Sequence, residues 1–385
     1  MEALELIEII KRGEDSHHQF KENITNAESL AGEMVAFSNS DGGMLIIGVD
    51  KNGSIVGIPN EQIERINQLI SNTASNNVRN PINLFTENVM VDEKLLTIIN
   101  VPLGIDKPYM DKNGAVWVKN GSDKRRVTSK EELRRLFQSS DIIHSDEIPI
   151  HNSTINDLDI EYFKLFYHDV YNSNLEEIDI SIDKLMNNLN LAVGTNLNYA
   201  GLLIFGKNPQ RLKPQFIIKA VNFIGVDAAG SEFRDKEDID GKIQEQYIRA
   251  IAFINRNLRK IQTSDSFNIS GQLEIPNIVF EELVANAIMH RNYFIDSPIR
   301  IFMLDNRIEI ISPGVLPNNL TVENIKNGVS VIRNPIIASF VTKNNLIKYS
   351  GFGTGVIRTL KNYKNIEFYN EEQLNQFKVV IQRPS

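Results

Sequence analysis

Two stretches tell most about the fold, ELVANA at residues 282–287 and GFGTG at residues 351–355. On a helix, Glu282 and Asn286 lie four residues apart and therefore share one face. Asn offers a neutral oxygen to Mg²⁺, and Glu can orient or deprotonate a water beside it. The glycines leave backbone N–H groups open to a triphosphate, ahead of a predicted helix at 356–360 whose dipole favours anions. Either stretch alone is a weak signal, but the two together, with strands predicted between them, indicate a nucleotide pocket.

The composition is that of a soluble globular protein, with 42% hydrophobic and 23% charged residues among 385. This length predicts two or three domains. The formal charge of −8 argues against a protein that coats nucleic acid non-specifically, although it allows a local basic patch. Because there are no cysteines, disulfides and thiol chemistry are excluded. The first residues do not resemble a signal peptide and no stretch is long enough to span a membrane, so we expect a cytoplasmic protein.

Alternating helix and strand patterns predict an α/β (α+β) fold. We divide the chain into an N-terminal domain at 1–140, a linker at 141–156, a middle α/β region at 157–272 and a C-terminal domain at 273–385. The other predicted elements are a hairpin at 107–118, a helix from about 130 to 139, a strand at 201–206 (GLLIFG), a helix at 277–290, and strands at 299–304 and 307–311 joined by a turn.

Three further motifs lie near the two stretches, NAIMHRNY at 286–293, IEIISPGVLP at 308–317 and RNP at 333–335. Together with the glycine triplet they resemble the GHKL ATPases, such as gyrase B and the heat-shock 90 chaperones. They resemble more closely a divergent helicase-related branch found in bacterial transcriptional regulators. The resemblance covers residues from about 276 onward and implies an α/β sandwich that binds ATP. The chain contains no GxxxxGK[ST] motif, so it predicts no helicase motor.

The resemblance implies a role for each matching position. Glu282 would be the water-activating base, and Asn286 would be the Mg²⁺ ligand. Ser312 replaces an Asp that contacts the adenine amino group in the family, and a hydroxyl accepts a hydrogen bond without adding charge. We therefore expect weaker or less base-selective nucleotide binding and slow turnover at most. The nucleotide-binding positions implied are Asn286, His290, Ser312, Gly314, Arg333, Gly351, Gly353, Thr354 and Gly355.

Alternatives stay open for parts of this site. His290 is either a hydrogen-bonding strut or a ligand contact. Arg333 is either a partner of the γ-phosphate or a surface charge. The pocket as a whole is either functional or a relic that binds nothing.

The N-terminal region carries AFSNSDGG at 36–43 and IIGVD at 46–50. These motifs resemble the Schlafen AlbA-type domain, which implies nucleic-acid binding over about residues 1–140. Animal Schlafens include RNases with three carboxylates, a set that metal-assisted phosphodiester cleavage needs to hold divalent cations. Glu14 and Asp50 match two of these positions, but the third is Gln19, which puts nuclease activity in doubt. Glu14 and Asp50 would also suit capping or turn roles.

A basic run follows the single tryptophan of the chain and is the candidate phosphate-contacting surface. Trp117 is positioned to stack on a base. The alternative for such a run is a solvated protein face without a ligand. The residues of this candidate surface are Trp117, Lys119, Lys124, Arg125, Arg126, Lys130, Arg134 and Arg135.

These observations predict a nucleotide-responsive nucleic-acid-binding protein, an ATP-binding transcriptional regulator that uses ATP and Mg²⁺. The resemblances also lead us to expect a homodimer, with DNA or RNA as the partner. One alternative is a Schlafen-like metal-dependent nuclease with Glu14 and Asp50 at the metal. A second alternative is a protein-interaction module with a vestigial ATP pocket.

Overall fold

The computed structural model describes residues 1–140, 143–261, 272–317, 320–343, 347–349, 351 and 353–384. It divides the chain into two units, Met1–Ile142 and Ile143–Ser385. Helices and strands are mixed in both units, which confirms the predicted α/β class. Within the described ranges, no helix is both long and apolar enough to cross a membrane.

A four-stranded sheet forms the centre of the N-terminal unit, with strand order β1-β2-β5-β4. Strands β1 and β2 are parallel and the other pairs are antiparallel. The helices of this unit are α1 (Ala3–Arg12), α2 (Ala27–Asn39), α3 (Ile63–Asn76) and α4 (Lys130–Ser139). Its strands are β1 (His18–Lys21), β2 (Gly43–Ile47), β3 (Val78–Arg79), β4 (Phe85–Val91), β5 (Lys94–Val101), β6 (Met110–Asp111), β7 (Trp117–Asn120) and β8 (Asp123–Arg126).

Both faces of this sheet are covered at β2, which explains the uninterrupted apolar run of that strand. Leu45 and Ile47 belong to the core that contains residues of α2 and α3. Ile46, between them, packs in a second core with Leu6 and Ile10 of α1. Successive strand residues point to opposite faces, so a strand covered on both sides needs apolar residues at every position.

The prediction of a hairpin at 107–118 is wrong, although the chain does turn after Asp111. The Asp111 carboxylate accepts hydrogen bonds from the backbone N–H groups of Asn113 and Ala115, both at 2.9 Å. However, β6 pairs with β3 rather than with the strand that follows the turn. The hairpin of this region joins β7 to β8. The turn itself was predicted correctly, because a turn depends on neighbouring residues. The pairing of β6 was not, because its partner β3 lies more than 30 residues earlier in the chain.

The C-terminal unit is organised around a six-stranded sheet with strand order β12-β11-β15-β16-β18-β17. Its helices are α5 (Ile160–Tyr171), α6 (Ile182–Asn188), α7 (Tyr199–Phe205), α8 (Pro209–Leu212), α9 (Ile243–Asn257), α10 (Asn277–Met289), α11 (Val322–Lys326), α12 (Pro335–Lys343) and α13 (Gly355–Asn362). Its strands are β9 (Ala192–Val193), β10 (Asn196–Leu197), β11 (Ile218–Phe223), β12 (Phe233–Ile239), β13 (Lys260–Ile261), β14 (Gln272–Leu273), β15 (Ile299–Met303), β16 (Arg307–Pro313), β17 (Ile366–Glu371) and β18 (Gln376–Gln382).

The large sheet joins strands from the middle region to strands from the C-terminal region. Strand β11 pairs in parallel with β15, and β12 forms the edge beyond β11. Helices α9 and α10 contribute to a single core together with β11, β15 and β16. Strands β15 and β16 form the hairpin predicted at 299–311. Helix α10 therefore packs against a single sheet that contains strands from both regions.

The strand predicted at 201–206 is wrong, because this segment is helix α7. Asn198 begins the helix, and its side-chain oxygen accepts a hydrogen bond from the backbone N–H of Gly201 at 2.8 Å. All residues from 200 to 205 are buried. A helix that is buried on every side has no polar stripe, so its sequence lacks the 3.6-residue period that identifies an amphipathic helix.

Candidate functional site

One face of α10 lines a cavity of about 110 Å³. This volume is smaller than the ~300–1,000 Å³ of typical small-molecule sites. Most of the remaining wall is apolar. It comes from β16, β17 and β18, including Ile310, Phe368 and Phe377, and from the chain on both sides of α11. Thr354 is not among the lining residues, and Phe352 of the quoted glycine stretch lies outside the described residues. The predicted site residues that line the cavity are Glu282, Asn286, His290, Ser312, Gly314, Arg333, Gly351, Gly353 and Gly355.

Glu282 is buried at the contact between α10 and α13. Its side chain is 4% exposed, and its Oε2 lies 3.4 Å from Nη1 of Arg358. Burial raises the pKa of the Glu282 carboxyl, while the Arg358 charge acts in the opposite direction. A Cβ on Gly355 would lie 2.1 Å from Glu282 Oε1, so the two helices reach this separation only with glycine at that position.

Asn286 and Ser312 keep hydrogen-bonding capacity for a ligand. The half-buried Asn286 carboxamide has no hydrogen-bond partner among the residues that the structure describes. The Ser312 hydroxyl donates to the backbone oxygen of Ala287 at 2.9 Å, so its lone pairs remain free to accept. This is the arrangement in which a serine can accept from an adenine amino group without contributing a charge.

His290 and Arg333 support the cavity wall through hydrogen bonds. Burial lowers the pKa of His290 to about 4, so the ring is neutral at pH 7, and its Nε2 lies 3.2 Å from the Tyr349 hydroxyl. The Arg333 guanidinium donates to the backbone oxygen of His290 at 3.0 Å and to that of Val315. Arg333 is therefore a half-buried brace of the wall in this structure rather than a surface charge.

The glycine stretch enters α13 through backbone conformations that L side chains rarely adopt. Gly351 and Gly353 have φ of 70° and 71°. A Cβ on Gly353 would lie 2.3 Å from the backbone oxygen of Gly328. Thr354 precedes α13 and makes no side-chain cap. The N–H groups of the first turn thus lack a side-chain cap, as they do at helix N-termini that bind anions.

Sequence reasoning missed two charged residues that flank the glycines. The Lys348 ammonium lies 2.8 Å from Oε1 of Glu281, and Arg358 pairs with Glu282. Glu281 and Glu282 are consecutive on α10, so the cations before and after the glycine stretch both pair with the same turn of this helix. Arg358 lies three residues beyond Gly355 on the predicted helix, and this spacing was the available signal.

The N-terminal basic run is largely engaged in contacts inside its own unit. The Trp117 indole N–H donates to Asp111 at 2.9 Å. The Lys119 ammonium donates to Gln19 Oε1 at 2.8 Å, and its partial burial lowers the pKa. The Lys124 ammonium lies 3.0 Å from the buried Glu33 carboxylate. These groups build the interior of the unit, and nucleic-acid contact by them stays a prediction.

The rest of the run lies on β8 and α4. Arg125 forms a two-point ion pair with Glu132, and Arg134 is half-buried. Arg126, Lys130 and Arg135 are exposed and make no ion pair with any other described residue. These three cations are the members of the run that remain available to an external phosphate.

The two candidate nuclease carboxylates serve local structure. Glu14 Oε1 accepts from the backbone N–H of Phe20 at 2.7 Å and from the Gln19 amide. Asp50 Oδ1 accepts from the N–H groups of Ser54 and Asn52, and these bonds lower the pKa of Asp50. No group of three or more His, Cys, Asp or Glu residues that could hold a metal occurs in the described part of the chain. The nuclease alternative stays a prediction.

Comparison with known proteins identifies a domain in each unit. Residues 14–128 match the family model "Schlafen, AlbA_2", and residues 296–381 match a HATPase model described as "Putative ATP-dependent DNA helicase recG C-terminal". Both resemblances predicted from the sequence are thereby confirmed. The second match begins after α10, so Glu282 and Asn286 lie outside it. A Schlafen AlbA_2 domain and a HATPase-like domain in one chain suggest a nucleic-acid-related protein that binds ATP.

No curated protein matches the chain. Among solved structures, the DIP2311 protein of Corynebacterium diphtheriae is 19% identical with a TM-score of 0.46, over 99% of this chain and 80% of that one. The N-terminal domain of a putative ATP-dependent DNA helicase RecG-related protein of Nitrosomonas europaea is 21% identical with a TM-score of 0.25, over 34% of this chain and 96% of that one. At these TM-scores neither similarity adds to the argument.

Proposed function

We propose that this protein is a nucleotide-responsive nucleic-acid-binding protein, and more specifically an ATP-binding transcriptional regulator. The observation that carries the proposal is the cavity, which gathers Glu282, Asn286, Ser312 and the glycines of 351–355 from separate elements. The HATPase match over 296–381 supports a nucleotide as the ligand. The Schlafen AlbA_2 match supports a nucleic-acid role for the N-terminal unit.

The described residues fit an adenine nucleotide with Mg²⁺. The apolar wall suits the base, and the Ser312 lone pairs suit its amino group. The unpartnered Asn286 carboxamide suits a hard cation that keeps most of its water. Bound Mg²⁺-ATP would supply an electrophilic γ-phosphoryl group, and Glu282 would orient or deprotonate a water. A carboxyl whose pKa is raised by burial is better matched to proton transfer near neutral pH.

The first test measures Mg²⁺-ATP binding and phosphate release on the full chain. Asn286→Ala is expected to abolish Mg²⁺-dependent binding, whereas Glu282→Ala is expected to bind ATP and release no phosphate. Asn362→Ala serves as the matched control, because Asn362 ends α13 and does not line the cavity. If the native chain binds neither ATP nor ADP, the pocket is vestigial and the interaction-module alternative replaces this proposal.

The proposed nucleic-acid surface consists of the exposed cations Arg126, Lys130 and Arg135. Changing all three to Gln should weaken DNA or RNA binding and reduce the slope of log affinity against log salt by about 1 per residue. A second triple variant with the same charge change provides the control. It carries Lys11→Gln, Arg12→Gln and Lys51→Gln, at exposed positions outside the basic run. Equal losses in the two triple variants would exclude the basic run as the specific contact.

We propose further that ATP and Mg²⁺ change how the N-terminal domains of a homodimer engage nucleic acid. The expected result is a nucleic-acid affinity that differs between protein with Mg²⁺-ATP and protein alone, with a dimeric mass in both conditions. Nucleic-acid binding curves that coincide with and without Mg²⁺-ATP over a range of salt concentrations would contradict the coupling. They would not contradict ATP binding or nucleic-acid binding by themselves.

A further inference from the structure

Two ion pairs fasten the segment around the glycines to α10, one on each side. Lys348, before the glycines, pairs with Glu281 at 2.8 Å, and Arg358, after them, pairs with Glu282 at 3.4 Å. The carboxylates are largely buried, with side chains 13% and 5% exposed, whereas the cations are 69% and 45% exposed. The cations can therefore move without opening the core, and the carboxylates cannot.

The two pairs differ in strength. The Lys348 contact has the short distance of a charge-assisted hydrogen bond, which is about 2.7–2.9 Å. The Arg358 contact is a single long approach, and its guanidinium is half exposed. Phosphate accepts two parallel bonds from a guanidinium, so a polyphosphate would compete well for Arg358. Of the two pairs, the one that involves the candidate base is the easier to exchange.

Both oxygens of the Glu282 carboxylate lie against α13 in the structure, and one of them pairs with Arg358. Oε2 faces Arg358, and Oε1 lies against Gly355, where a Cβ would stand 2.1 Å away. A base must have an oxygen within hydrogen-bond reach of the water that it activates. Loosening of the Arg358 contact would make Oε2 available for that role.

We propose that Arg358 is a polyphosphate-contacting residue that exchanges between Glu282 and the phosphates of a nucleotide. The exchange frees one carboxylate oxygen of Glu282 toward the cavity. The Lys348–Glu281 pair meanwhile keeps the segment around the glycines on α10. This inference rests on the ATP binding proposed above. It adds a residue that contacts the phosphates and an exchange that controls when Glu282 becomes available.

The test is a double-mutant cycle on the full chain with Arg358→Gln, Glu282→Gln and the double variant. Dissociation constants for Mg²⁺-ATP and for adenosine are measured by calorimetry. Arg358→Gln is expected to weaken ATP binding about tenfold or more, which corresponds to ~1.4 kcal/mol, and to leave adenosine binding unchanged. Glu282→Gln is expected to tighten ATP binding severalfold, because Arg358 is then released from its protein partner.

The double variant distinguishes exchange from a general charge effect. If Arg358 is the exchanged group, Glu282→Gln no longer tightens ATP binding once Arg358 is Gln. Tightening that persists in the double variant would mean that removal of a negative charge is sufficient, and it would overturn the proposal. Arg358 itself lies behind Glu282 and is not among the residues that line the cavity. Lys361→Gln is the control, since Lys361 is an exposed cation on the same helix that does not pair with Glu282.

The outcomes also separate this inference from the function on which it rests. A native chain that binds no ATP overturns both. ATP binding that is equally strong in the native chain and in Arg358→Gln overturns the exchange alone. Arg358→Lys provides a second variant if Arg358→Gln fails to fold. It keeps the charge but loses the two-point geometry, so it should weaken ATP binding less than tenfold while sparing adenosine.

Discussion

Replacement of Gly355 by alanine tests how closely α13 approaches α10. A Cβ at this position would lie 2.1 Å from Oε1, 2.7 Å from Cδ and 3.0 Å from Cγ of Glu282. The backbone does not oppose the change, because Gly355 is not among the residues with positive φ. Alanine is also the better helix former, by up to about 1 kcal/mol. The unfavourable contribution therefore comes from the clash with Glu282.

The size of that contribution follows from the burial of Glu282. With 4% exposure, the side chain cannot turn freely into solvent. Overpacking of a well-packed site costs about 1–3 kcal/mol. Loss of the partly exposed Arg358 pair adds at most ~1 kcal/mol. After the gain in helix propensity, we expect Gly355→Ala to lower the free energy of unfolding by roughly 1–2 kcal/mol.

The assay is urea unfolding of Gly355→Ala in the native and Glu282→Ala backgrounds, followed by far-UV circular dichroism. In the Glu282→Ala background the clashing atoms are absent, so Gly355→Ala should be neutral or stabilising. Trp117, the single tryptophan, lies in the N-terminal unit, so its fluorescence reports on that unit and circular dichroism is needed to follow this change. The difference between the backgrounds is the coupling energy of the two positions.

Gly353→Ala is the matched control for this cycle. Its Cβ would meet the backbone oxygen of Gly328 at 2.3 Å, and its φ is 71°, so Glu282→Ala cannot relieve it. An equal cost of Gly355→Ala in both backgrounds would refute the reasoning, because the clash would then not involve Glu282. A cost of zero in the native background would show that the Glu282 side chain or α13 shifts to accommodate the added methyl group.

Two further predictions concern the C-terminal unit. The buried Asp146 carboxylate accepts from the N–H groups of Ile336 and Ile337, and burial raises its pKa from 3.8 to about 6. The folded state therefore binds the proton more tightly, and this group should lower the free energy of unfolding by at most about 3 kcal/mol as pH rises from 4 to 7. Asp146→Asn should flatten that dependence in urea unfolding at several pH values. Gly201→Ala should destabilise the unit in the same assay despite its better helix propensity, because a Cβ there would lie 2.1 Å from the backbone oxygen of Leu191.

The parts of the site that could be predicted depend on local signals. The four-residue spacing of Glu282 and Asn286 was enough to predict that both line one face of a helix. The glycines predicted a loop with open backbone N–H groups ahead of a helix, and helix α13 does follow them. The turn between β15 and β16 also carries its own signal in the sequence. Each of these features is determined within a few residues, which is the range that periodicity and turn chemistry can report.

The parts that could not be predicted depend on distant partners. Lys119 and Lys124 look like free cations in the sequence, but Gln19 and Glu33, about 100 and 90 residues earlier, bind them. The core surrounds helix α7 on every side, so its sequence carries no amphipathic period and resembles that of a buried strand. The pairing of Arg358 with Glu282 joins two helices 76 positions apart. Residue spacing contains no information on such contacts, because they arise from the packing of whole elements.

The balance of charge in the cavity connects the nucleotide proposal to the Arg358 inference. His290 is neutral at pH 7, and the Arg333 guanidinium is directed at backbone oxygens. Glu282 is the carboxylate that lines the wall, and Arg358 is its ion-pair partner in the structure. The Arg333 guanidinium keeps its charge but is already bonded to protein oxygens, so a polyphosphate would gain most from Mg²⁺ and from Arg358 if Arg358 turns toward it. For this reason affinity for ATP should depend strongly on Mg²⁺ and on Arg358, whereas affinity for adenosine should depend on neither.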